Sequence, residues 1–264
     1  MASGLWSGRR ALVTGASSGI GAALARQLAE ERAVLVLSGR DTGALDASAG
    51  GCRAVGAQVT AVAGDLTEAG TIAALGEAVA NLGGLDLLVH NAGVTMNARF
   101  AELELEVLRR IMEINFFATV ALTKEVLPHL VAARGRIAVV SSLIGLVGVP
   151  TRTAYAASKH ALHGFFGSLR VELRQAGVGV TIVCPGYVDT PMRSRALRGD
   201  GTPQGFDQAA GRATLTADQV ARATLEAAAR GRRLVLLGRE TRLARLLSLL
   251  APPLLDRLLE RSAR

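Results

Sequence analysis

The chain has 264 residues, half of them apolar, and a formal net charge of +8. This composition excludes disorder, and the length predicts one domain over residues 1–264 with a single large core. There is no run of about 18 apolar residues and no ordered signal peptide at the start, so we expect a cytoplasmic protein without a spanning helix. Two cysteines are too few for a disulfide framework, and Cys184 lies in an apolar run typical of a buried thiol.

The positive charge is concentrated in the last quarter of the chain. Residues 193–264 contain 14 arginines against 7 acidic residues, a net charge of +7. Nucleic-acid binding is compatible with this charge, but the segment has no interleaved aromatic residues beyond Phe206 and no nucleic-acid motif. We therefore predict no nucleic-acid partner.

The first predicted element is a strand over residues 11–14, followed by a glycine-rich turn at 15–21 and a helix over 22–30. A strand, a glycine-rich turn and a helix in this order are typical of a dinucleotide site. Glycines let the backbone approach a pyrophosphate, which then lies at the positive end of the helix. An ordinary tight turn is the alternative interpretation.

The second predicted strand, residues 33–38, ends where a dinucleotide fold distinguishes its cofactors. An acidic residue there binds a ribose 2′-hydroxyl, whereas an arginine meets a 2′-phosphate. Gly39 stands at the acidic position and Arg40 follows it, which favours NADP over NAD. Asp41 is one place too late and is predicted to cap the next helix. The alternative is that Arg40 is a solvated turn residue.

The remaining pattern continues to alternate between strands and helices. Further strands are predicted at 58–66, 85–89, 136–140, 178–184 and 233–237. Helices are predicted at 67–81, at 106–131, from the segment with Tyr155 to about residue 175, and after Thr216. Thr67 is predicted to cap the first of these helices, and Thr216 begins a capping motif. This order predicts an α/β fold, a doubly wound parallel sheet of about seven strands (a Rossmann fold) with helices on both faces. The polar motifs follow strand ends, which is the edge where such sheets bind ligands.

Tyr155 and Lys159 are four residues apart and so lie one turn apart on one helix face. A cation near a phenol favours the phenolate, so we predict that Lys159 lowers the pKa of Tyr155 and makes it a proton donor or acceptor near neutral pH. The only other lysine is Lys124, in a chain rich in arginine. This exception indicates a task that the planar guanidinium performs badly. An unremarkable surface pair is the alternative.

Together these residues resemble the short-chain dehydrogenase/reductase family, in its short single-domain branch, from about residue 9 to 237. The motifs that carry the resemblance are, in chain order, Thr14-Gly15-x-x-x-Gly19-x-Gly21, Asp65, Asn91-Ala92-Gly93, Asn115, Ser142, Tyr155-x-x-x-Lys159 and Pro185-Gly186-x-Val188-x-Thr190. Each is weak alone, and all of them in order are specific. His90 departs from the family, which often has Asn there, and we expect little effect.

The resemblance implies a catalytic set of Asn115, Ser142, Tyr155 and Lys159. Tyr155 would be the general acid in carbonyl reduction and the base in alcohol oxidation. Ser142, which lies 13 positions before Tyr155, would hydrogen-bond the substrate oxygen. Lys159 would hold the nicotinamide ribose, and Asn115 would anchor a water that links Lys159 to solvent. The alternative for Asn115 is an amide that satisfies a bent helix.

The resemblance also implies a nicotinamide cofactor, for which Gly39 and Arg40 favour NADP(H) over NAD, and we expect no metal. Asp65 would bond the adenine amino group, Asn91 and Gly93 would flank the adenosine ribose, and Val188 and Thr190 would fix the carboxamide. The full set of expected cofactor contacts is Gly15, Ser17, Ser18, Gly19, Ile20, Gly21, Arg40, Asp65, Leu66, Asn91, Ala92, Gly93, Tyr155, Lys159, Pro185, Gly186, Val188 and Thr190.

The substrate is predicted only by class. The residues after Ser142 are mainly apolar and suggest a pocket wall for a hydrophobic ketone, aldehyde or secondary alcohol: Leu143, Ile144, Leu146, Val147 and Val149. One alternative is a non-catalytic NADP-binding or interaction protein on the same fold, which the intact catalytic set argues against. A sugar-nucleotide epimerase of the longer family branch is disfavoured by the chain length and the glycine spacing.

Two segments near the end of the chain lie outside this pattern. Residues 190–214 are rich in Gly, Arg and Pro, and we predict a mobile lid that orders over the substrate. Residues 240–264 are predicted to form two short amphipathic helices separated by Pro252-Pro253. Their leucine faces either pack on protein, including a second subunit of a homodimer or homotetramer, or contact an anionic membrane surface peripherally.

Overall fold

The structure is a computed structural model, and it describes residues 4–206 and 215–262. Its central element is a sheet of seven parallel strands in the order β3-β2-β1-β4-β5-β6-β7. The strands are β1 Arg10–Thr14, β2 Val34–Gly39, β3 Val59–Ala63, β4 Leu87–His90, β5 Arg136–Val140, β6 Gly179–Pro185 and β7 Leu234–Leu237. The strand count and the parallel pairing confirm the predicted fold class.

Helices cover both faces of this sheet. They are α1 Gly19–Glu30, α2 Thr42–Ala54, α3 Ala69–Asn81, α4 Leu105–Met112, α5 Ala118–Ala133, α6 Thr153–Glu172, α7 Ala217–Ala229, α8 Arg239–Leu250 and α9 Pro252–Ser262. One apolar core lies between the sheet and α1, α2 and α7, and a second lies between the sheet and α3, α5 and α6. The strands are apolar on both faces because both faces are buried, which is typical of a doubly wound sheet.

The strand register places the predicted motifs that directly follow β1, β2, β3 and β4 at one edge of the sheet. Thr14 pairs with Ser38, Gly39 with Ala63, and His90 with Val139, so the carboxyl ends of neighbouring strands are level. The strand order reverses between β1 and β4, and this is the point where open α/β sheets bind ligands.

The predicted long helix over 106–131 is interrupted. A π-helical segment, Glu113–Phe117, joins α4 to α5 and contains Asn115, whose side chain is fully buried. π-Helical turns inside helices are rare and are frequently found at functional sites.

The same helical stretch, Leu105–Ala133, is long and apolar enough to cross a membrane by length and composition, contrary to our expectation from apolar runs. Core helices also meet that criterion. Leu122, Val126 and Leu130 are fully buried against the sheet, so we assign this stretch to the globular fold.

The ends of several helices test the predicted caps. Asp41 accepts a hydrogen bond from the Ala44 amide at the start of α2, and Thr216 forms a capping box with Gln219 at the start of α7, as predicted. The predicted cap at Thr67 is wrong, because α3 begins two residues later. The Thr67 amide and hydroxyl instead donate to Asp65, 3.0 and 2.9 Å from its Oδ1.

The described part of the predicted lid, residues 190–206, is fastened to the segment after β4. The Leu197 amide donates to the Thr95 carbonyl at 2.9 Å, and the Asn97 side chain donates to Gln204 Oε1 at 2.7 Å. Leu197 and Gln204 are buried. A moving lid has to break these bonds, so the lid remains a prediction, and residues 207–214 lie outside the described residues.

Candidate active site

The glycine-rich turn after β1 is shaped by close backbone contacts. Gly15 and Gly19 have left-handed φ angles of +66° and +56°, which glycine adopts without strain. A Cβ on Gly21 would overlap the carbonyl oxygen of Gly15 and lie 2.6 Å from Asn91 Nδ2. A side chain at Gly21 would therefore force the turn apart.

The segment after β4 holds this turn in place. The Asn91 side chain donates to the carbonyls of Thr14 and Gly15, at 3.1 and 3.2 Å. The Thr14 hydroxyl accepts the amides of Asn91 and Ala92, at 3.0 and 3.1 Å. The structure thus brings Asn91, which we predicted beside a ribose, to the glycine turn, and uses its amide to lock two loops together.

The start of α1 has the properties of an anion site. The Ser17 hydroxyl is buried and has no hydrogen-bond partner among the described residues. Ser18 is the N-cap residue but makes no side-chain cap bond, and the first turn of α1 contains no acidic residue. A buried hydroxyl without a partner in the described chain, beside the uncapped positive end of a helix, fits a phosphate, so this turn suits the pyrophosphate part of a dinucleotide. Ile20 packs on the core beneath.

The ends of β2 and β3 bring Arg40 close to Asp65. The Arg40 guanidinium lies 3.9 Å from the Asp65 carboxylate, and both side chains are partly exposed. A Cβ on Gly39 would overlap the Ser17 hydroxyl, so a side chain at this position would displace Ser17. Leu66 packs against the core next to Asp65. These residues lie at the end of the site where an adenosine would bind.

The segment after β6 returns over the glycine turn. The methyl group of Thr190 lies 3.1 Å from where a Cβ on Gly19 would be, so Thr190 covers the turn. Pro185 is the last residue of β6, and Val188 is buried and bridged to Leu215. Gly186 faces the Glu240 side chain of α8.

Gly93 connects the cofactor side of the site to α6. Because Gly93 has no side chain, Asn115 Oδ1 and Lys159 Nζ can approach its backbone. They lie 3.1 and 3.7 Å from where a Cβ on Gly93 would be. The Asn115 amide group exchanges bonds with the backbone of Val94, at 2.8 and 2.9 Å, and donates to Ser158 at 2.9 Å. Asn115 therefore positions the loop after β4 against α6.

Tyr155 and Lys159 are both buried on one face of α6. The Lys159 ammonium donates to the Val140 carbonyl at 3.1 Å and lies over the Tyr155 ring, 5.7 Å from the centroid. Burial lowers the pKa of Lys159 to about 8. The ammonium thus contacts the ring face and a carbonyl.

The predicted lowering of the Tyr155 pKa by Lys159 is wrong in this geometry. Burial raises the pKa of Tyr155 to about 12, and the groups that oppose this rise are the Ser142 hydroxyl and the Arg152 guanidinium. Ser142 begins the turn after β5 and accepts the Ile144 amide at 3.2 Å. The phenol is therefore protonated at neutral pH.

Comparison with known proteins agrees with this architecture. A family model described as short chain dehydrogenase matches residues 9–200. The chain belongs to the short-chain dehydrogenase family.

Several members of this family of oxidoreductases are similar along much of their length. Dehydrogenase/reductase SDR family member 7B of Mus musculus is 40% identical over 200 residues, which are 74% of this chain and 62% of the relative. The match therefore spans less than two thirds of the mouse protein. The Bos taurus protein of the same name is 38% identical over 265 residues, 96% of this chain and 81% of the relative.

A solved structure gives the same result for the fold. The short chain dehydrogenase/reductase of Burkholderia phymatum, determined in complex with NAD, superimposes with a TM-score of 0.77 and 28% identity, covering 88% of this chain and 89% of that chain.

In this short-chain dehydrogenase, Arg152 lies one turn before Tyr155 and was not anticipated from the sequence. Its guanidinium donates to the Met96 carbonyl. Burial lowers the pKa of Arg152, and the nearby Tyr155 and Tyr187 oppose that shift. Arg152 is the N-cap residue of α6 and has non-helical backbone angles, so helix spacing does not predict where its side chain lies.

A second unanticipated group lies behind the predicted active site. His163 Nε2 is 3.0 Å from the Ser141 hydroxyl and 3.5 Å from the Cys184 sulfur. Burial lowers the pKa of His163 to about 4 and raises that of Cys184 to about 12, so all three groups are neutral. Ser141 is turned towards His163, while its neighbour Ser142 is near the phenol. His163 continues the four-residue spacing of Tyr155 and Lys159.

The unusual His90 belongs to the core. Its ring packs against Phe166 and its Nε2 is 2.8 Å from the Thr123 hydroxyl. Complete burial lowers its pKa to about 3. A neutral imidazole therefore stands where the family often has the amide of Asn, and its contacts are with the core.

Proposed function

We propose that this chain is an NADP(H)-dependent oxidoreductase that moves a hydride between the nicotinamide and a hydrophobic ketone, aldehyde or secondary alcohol. The observation that carries the proposal is the burial of Tyr155 between Ser142 and Lys159 at the same sheet edge as the glycine turn. Gly93 connects the glycine turn to α6. It lies close to Lys159 and follows Asn91, whose side chain donates a hydrogen bond to the Gly15 carbonyl.

The cofactor, when bound, supplies or accepts the hydride, and the chain manages the proton. With a pKa raised to about 12, Tyr155 keeps its proton at neutral pH and can donate it to a carbonyl oxygen during reduction. Ser142 can donate a hydrogen bond to the same oxygen as negative charge develops on it. In alcohol oxidation Tyr155 has to lose its proton first, so that direction should accelerate as the pH rises.

The preference for NADP rests on the end of β2. Arg40 provides a cation for a 2′-phosphate, and the unpartnered Ser17 hydroxyl adds a hydrogen-bond donor nearby. Gly39 carries no acidic group that would repel the phosphate, and its Cβ position is already filled by Ser17. The structural relative was determined with NAD, so this preference needs a direct binding measurement.

The proposed substrate class follows from the surroundings of Tyr155. The phenol belongs to an apolar cluster with Met96, Ile111 and Leu197, and Ile144 packs against it from the turn after Ser142. An apolar wall next to a buried proton donor favours substrates with a hydrophobic body and one carbonyl or hydroxyl group.

We also propose that the chain forms a homodimer or homotetramer and acts in the cytoplasm. Phe117 at the end of the π-helical segment and Val171 on α6 are large apolar side chains that remain exposed, and a second subunit would cover them. Sedimentation velocity should give a mass of two or four chains. A monomer at micromolar concentration would refute the assembly.

The activity is tested by NADPH oxidation with a panel of apolar ketones and aldehydes. Tyr155→Phe should reduce turnover by a factor of about 100 or more and leave NADPH binding nearly intact, because only the phenol hydroxyl is lost. Tyr187→Phe is the matched control, since it removes the only other tyrosine hydroxyl, and it should change turnover only a few-fold. Near-normal activity of Tyr155→Phe would refute the mechanism, and NADPH binding without turnover of any carbonyl would favour a non-catalytic protein.

A further inference from the structure

The two helices after β7, α8 and α9, are joined at Ala251 and pack against each other, and we call them the C-terminal hairpin (residues 239–262). Its base is firmly attached beside the proposed active site. Thr241 is fully buried and donates to the Leu237 carbonyl at 2.8 Å. The Glu240 carboxylate faces Gly186 and Gly238, and α8 also packs against the turn Leu143–Gly145.

The outer side of the C-terminal hairpin is apolar and uncovered. Six leucines are 44–75% exposed there: Leu243, Leu246, Leu249, Leu250, Leu254 and Leu258. Only Leu255 of the α9 leucines is fully buried. Packing on the rest of the domain, which is one part of the first alternative from the sequence, therefore does not account for these faces. An apolar patch of this kind marks a contact with another molecule.

The charges beside the α8 leucines are all positive. Arg239 and Arg242 are exposed and stand four residues before Leu243 and Leu246, on the same side of the helix. The one acidic residue of α8, Glu240, is turned inward against Gly186. The exposed face of α8 thus combines leucine with arginine only.

The same arrangement recurs on α9. Arg257 and Arg261 follow Leu254 and Leu258 by three residues and so lie beside them. The acidic residues Asp256 and Glu260 are each two positions from Leu258, which places them on the other side of the helix. The apolar face of the whole hairpin is therefore bordered by arginines.

This charge pattern decides between the candidate occupants. A second copy of the chain related by two-fold symmetry would bring the same arginine-bordered faces together, and like charges at an interface are unfavourable. An anionic lipid surface offers phosphates to the arginines and acyl chains to the leucines. We propose that the C-terminal hairpin docks the protein on an anionic membrane surface, with its leucines in the interface. Because α8 packs against the turn after Ser142, docking brings the active-site side of the molecule to the lipid.

The test is co-sedimentation of the full chain with vesicles of phosphatidylcholine alone or mixed with phosphatidylserine. The full chain should pellet with the mixed vesicles and remain in solution with the neutral ones. Raising the salt to about 1 M, where the Debye length is about 3 Å, should release it. Leu246→Glu with Leu250→Glu should weaken partitioning by about tenfold or more, because glutamates enter the anionic interface. Arg257→Gln with Arg261→Gln should also weaken binding to the mixed vesicles, because it removes two of the cations that meet the lipid phosphates.

Val55→Glu is the control, since it places a glutamate on an exposed apolar position at the end of α2, which packs on β2 and β3 at the opposite edge of the sheet from β7 and the hairpin. It should pellet like the unmodified protein. Carbonyl reduction in detergent-free buffer should be the same in all variants, so a failure of docking is distinguishable from a failure of the proposed activity.

Three results would overturn the proposal. The full chain could ignore anionic vesicles, or it could bind neutral and anionic vesicles equally, which would indicate insertion of another apolar segment. Finally, Leu246→Glu with Leu250→Glu could keep full vesicle binding while the oligomer dissociates in sedimentation velocity. That result would make the hairpin a subunit interface.

Discussion

The glycine turn after β1 and the buried face of α6 are the two halves of the proposed active site, and they depend on different physical constraints. At the turn, shape is set by backbone atoms in contact, and any side chain at Gly21 would overlap Gly15. On α6 the backbone is a regular helix, and the important property is the charge of its buried side chains. Burial raises the pKa of Tyr155 and lowers that of Lys159. The glycine turn therefore tolerates no added side-chain atoms, whereas the buried face of α6 is sensitive to the removal of a charged group.

The largest expected effect lies in the charge-controlled half. Lys159→Met should reduce turnover about 100-fold or more and should also stabilise the fold by about 1 kcal/mol or more. Burial lowers the Lys159 pKa from 10.5 to about 8, so below pH 8 the folded protein carries an unfavourable buried charge. The advantage of the variant should therefore be complete below about pH 8 and fade as the pH rises towards 10.5. Urea unfolding at several pH values measures this.

Lys124→Met is the control for that experiment, since Lys124 is exposed on α5. It should change neither turnover nor stability appreciably. If Lys159→Met destabilises the protein at pH 7, burial of its charge is not the dominant effect in this half of the site.

The backbone-controlled half is tested by Gly21→Ala. The added Cβ overlaps the Gly15 carbonyl, so we expect a loss of stability of about 3 kcal/mol or more together with weaker NADPH binding. Gly70→Ala adds the same atom to α3, where nothing lies within 4 Å, and should be neutral or stabilising by up to about 1 kcal/mol. Equal stability of the two variants in guanidinium unfolding would refute the steric argument.

A smaller change is expected at the boundary of the glycine half, where the cofactor is selected. Gly39→Asp with Arg40→Leu should lower the ratio of NADPH to NADH affinity about tenfold or more, because the 2′-phosphate loses a cation and meets a carboxylate. Ser17 has to rotate to admit the new side chain. Arg40→Leu alone should give an intermediate ratio in fluorescence titrations. Tighter binding of NADH than NADPH by the unmodified protein would show that the preference was misassigned.

The smallest predicted effect is a shift in pH dependence. Arg152 opposes the rise of the Tyr155 pKa, so Arg152→Gln should raise that pKa further. The rising limb of the rate of alcohol oxidation should move to higher pH by about one unit. Arg109→Gln, on the exposed side of α4, should leave the profile unchanged. A shift of the limb to lower pH would contradict the assigned electrostatics.

Sequence reasoning was most successful where one residue type is required by geometry. Alternating apolar strands and glycine turns predicted the sheet, and β5 was predicted to the residue. The caps at Asp41 and Thr216 were correct because their bonds are local. The Thr67 cap failed because a competing turn with Asp65 uses the same groups.

The electrostatic properties of the site could not be predicted in this way. Whether a phenol has its pKa raised or lowered depends on burial and on the direction of neighbouring charges, and a four-residue spacing specifies neither. The same spacing that revealed Lys159 also contained His163, but its partners lie elsewhere in the chain, Ser141 directly after β5 and Cys184 within β6. Exposure of the hairpin leucines likewise required the packed structure.

The central claim is that the chain transfers a hydride to a carbonyl carbon while Tyr155 provides the proton. The most direct measurement is a single-turnover reaction of an apolar ketone with NADPH that carries deuterium in both positions at C4 of the nicotinamide. The alcohol is then analysed by mass spectrometry. The account predicts one deuterium on the carbinol carbon for the unmodified protein, and a rate lower by a factor of about 100 or more for Tyr155→Phe. Bound NADPH with no deuterium in any product, or equal rates for the two proteins, would contradict it.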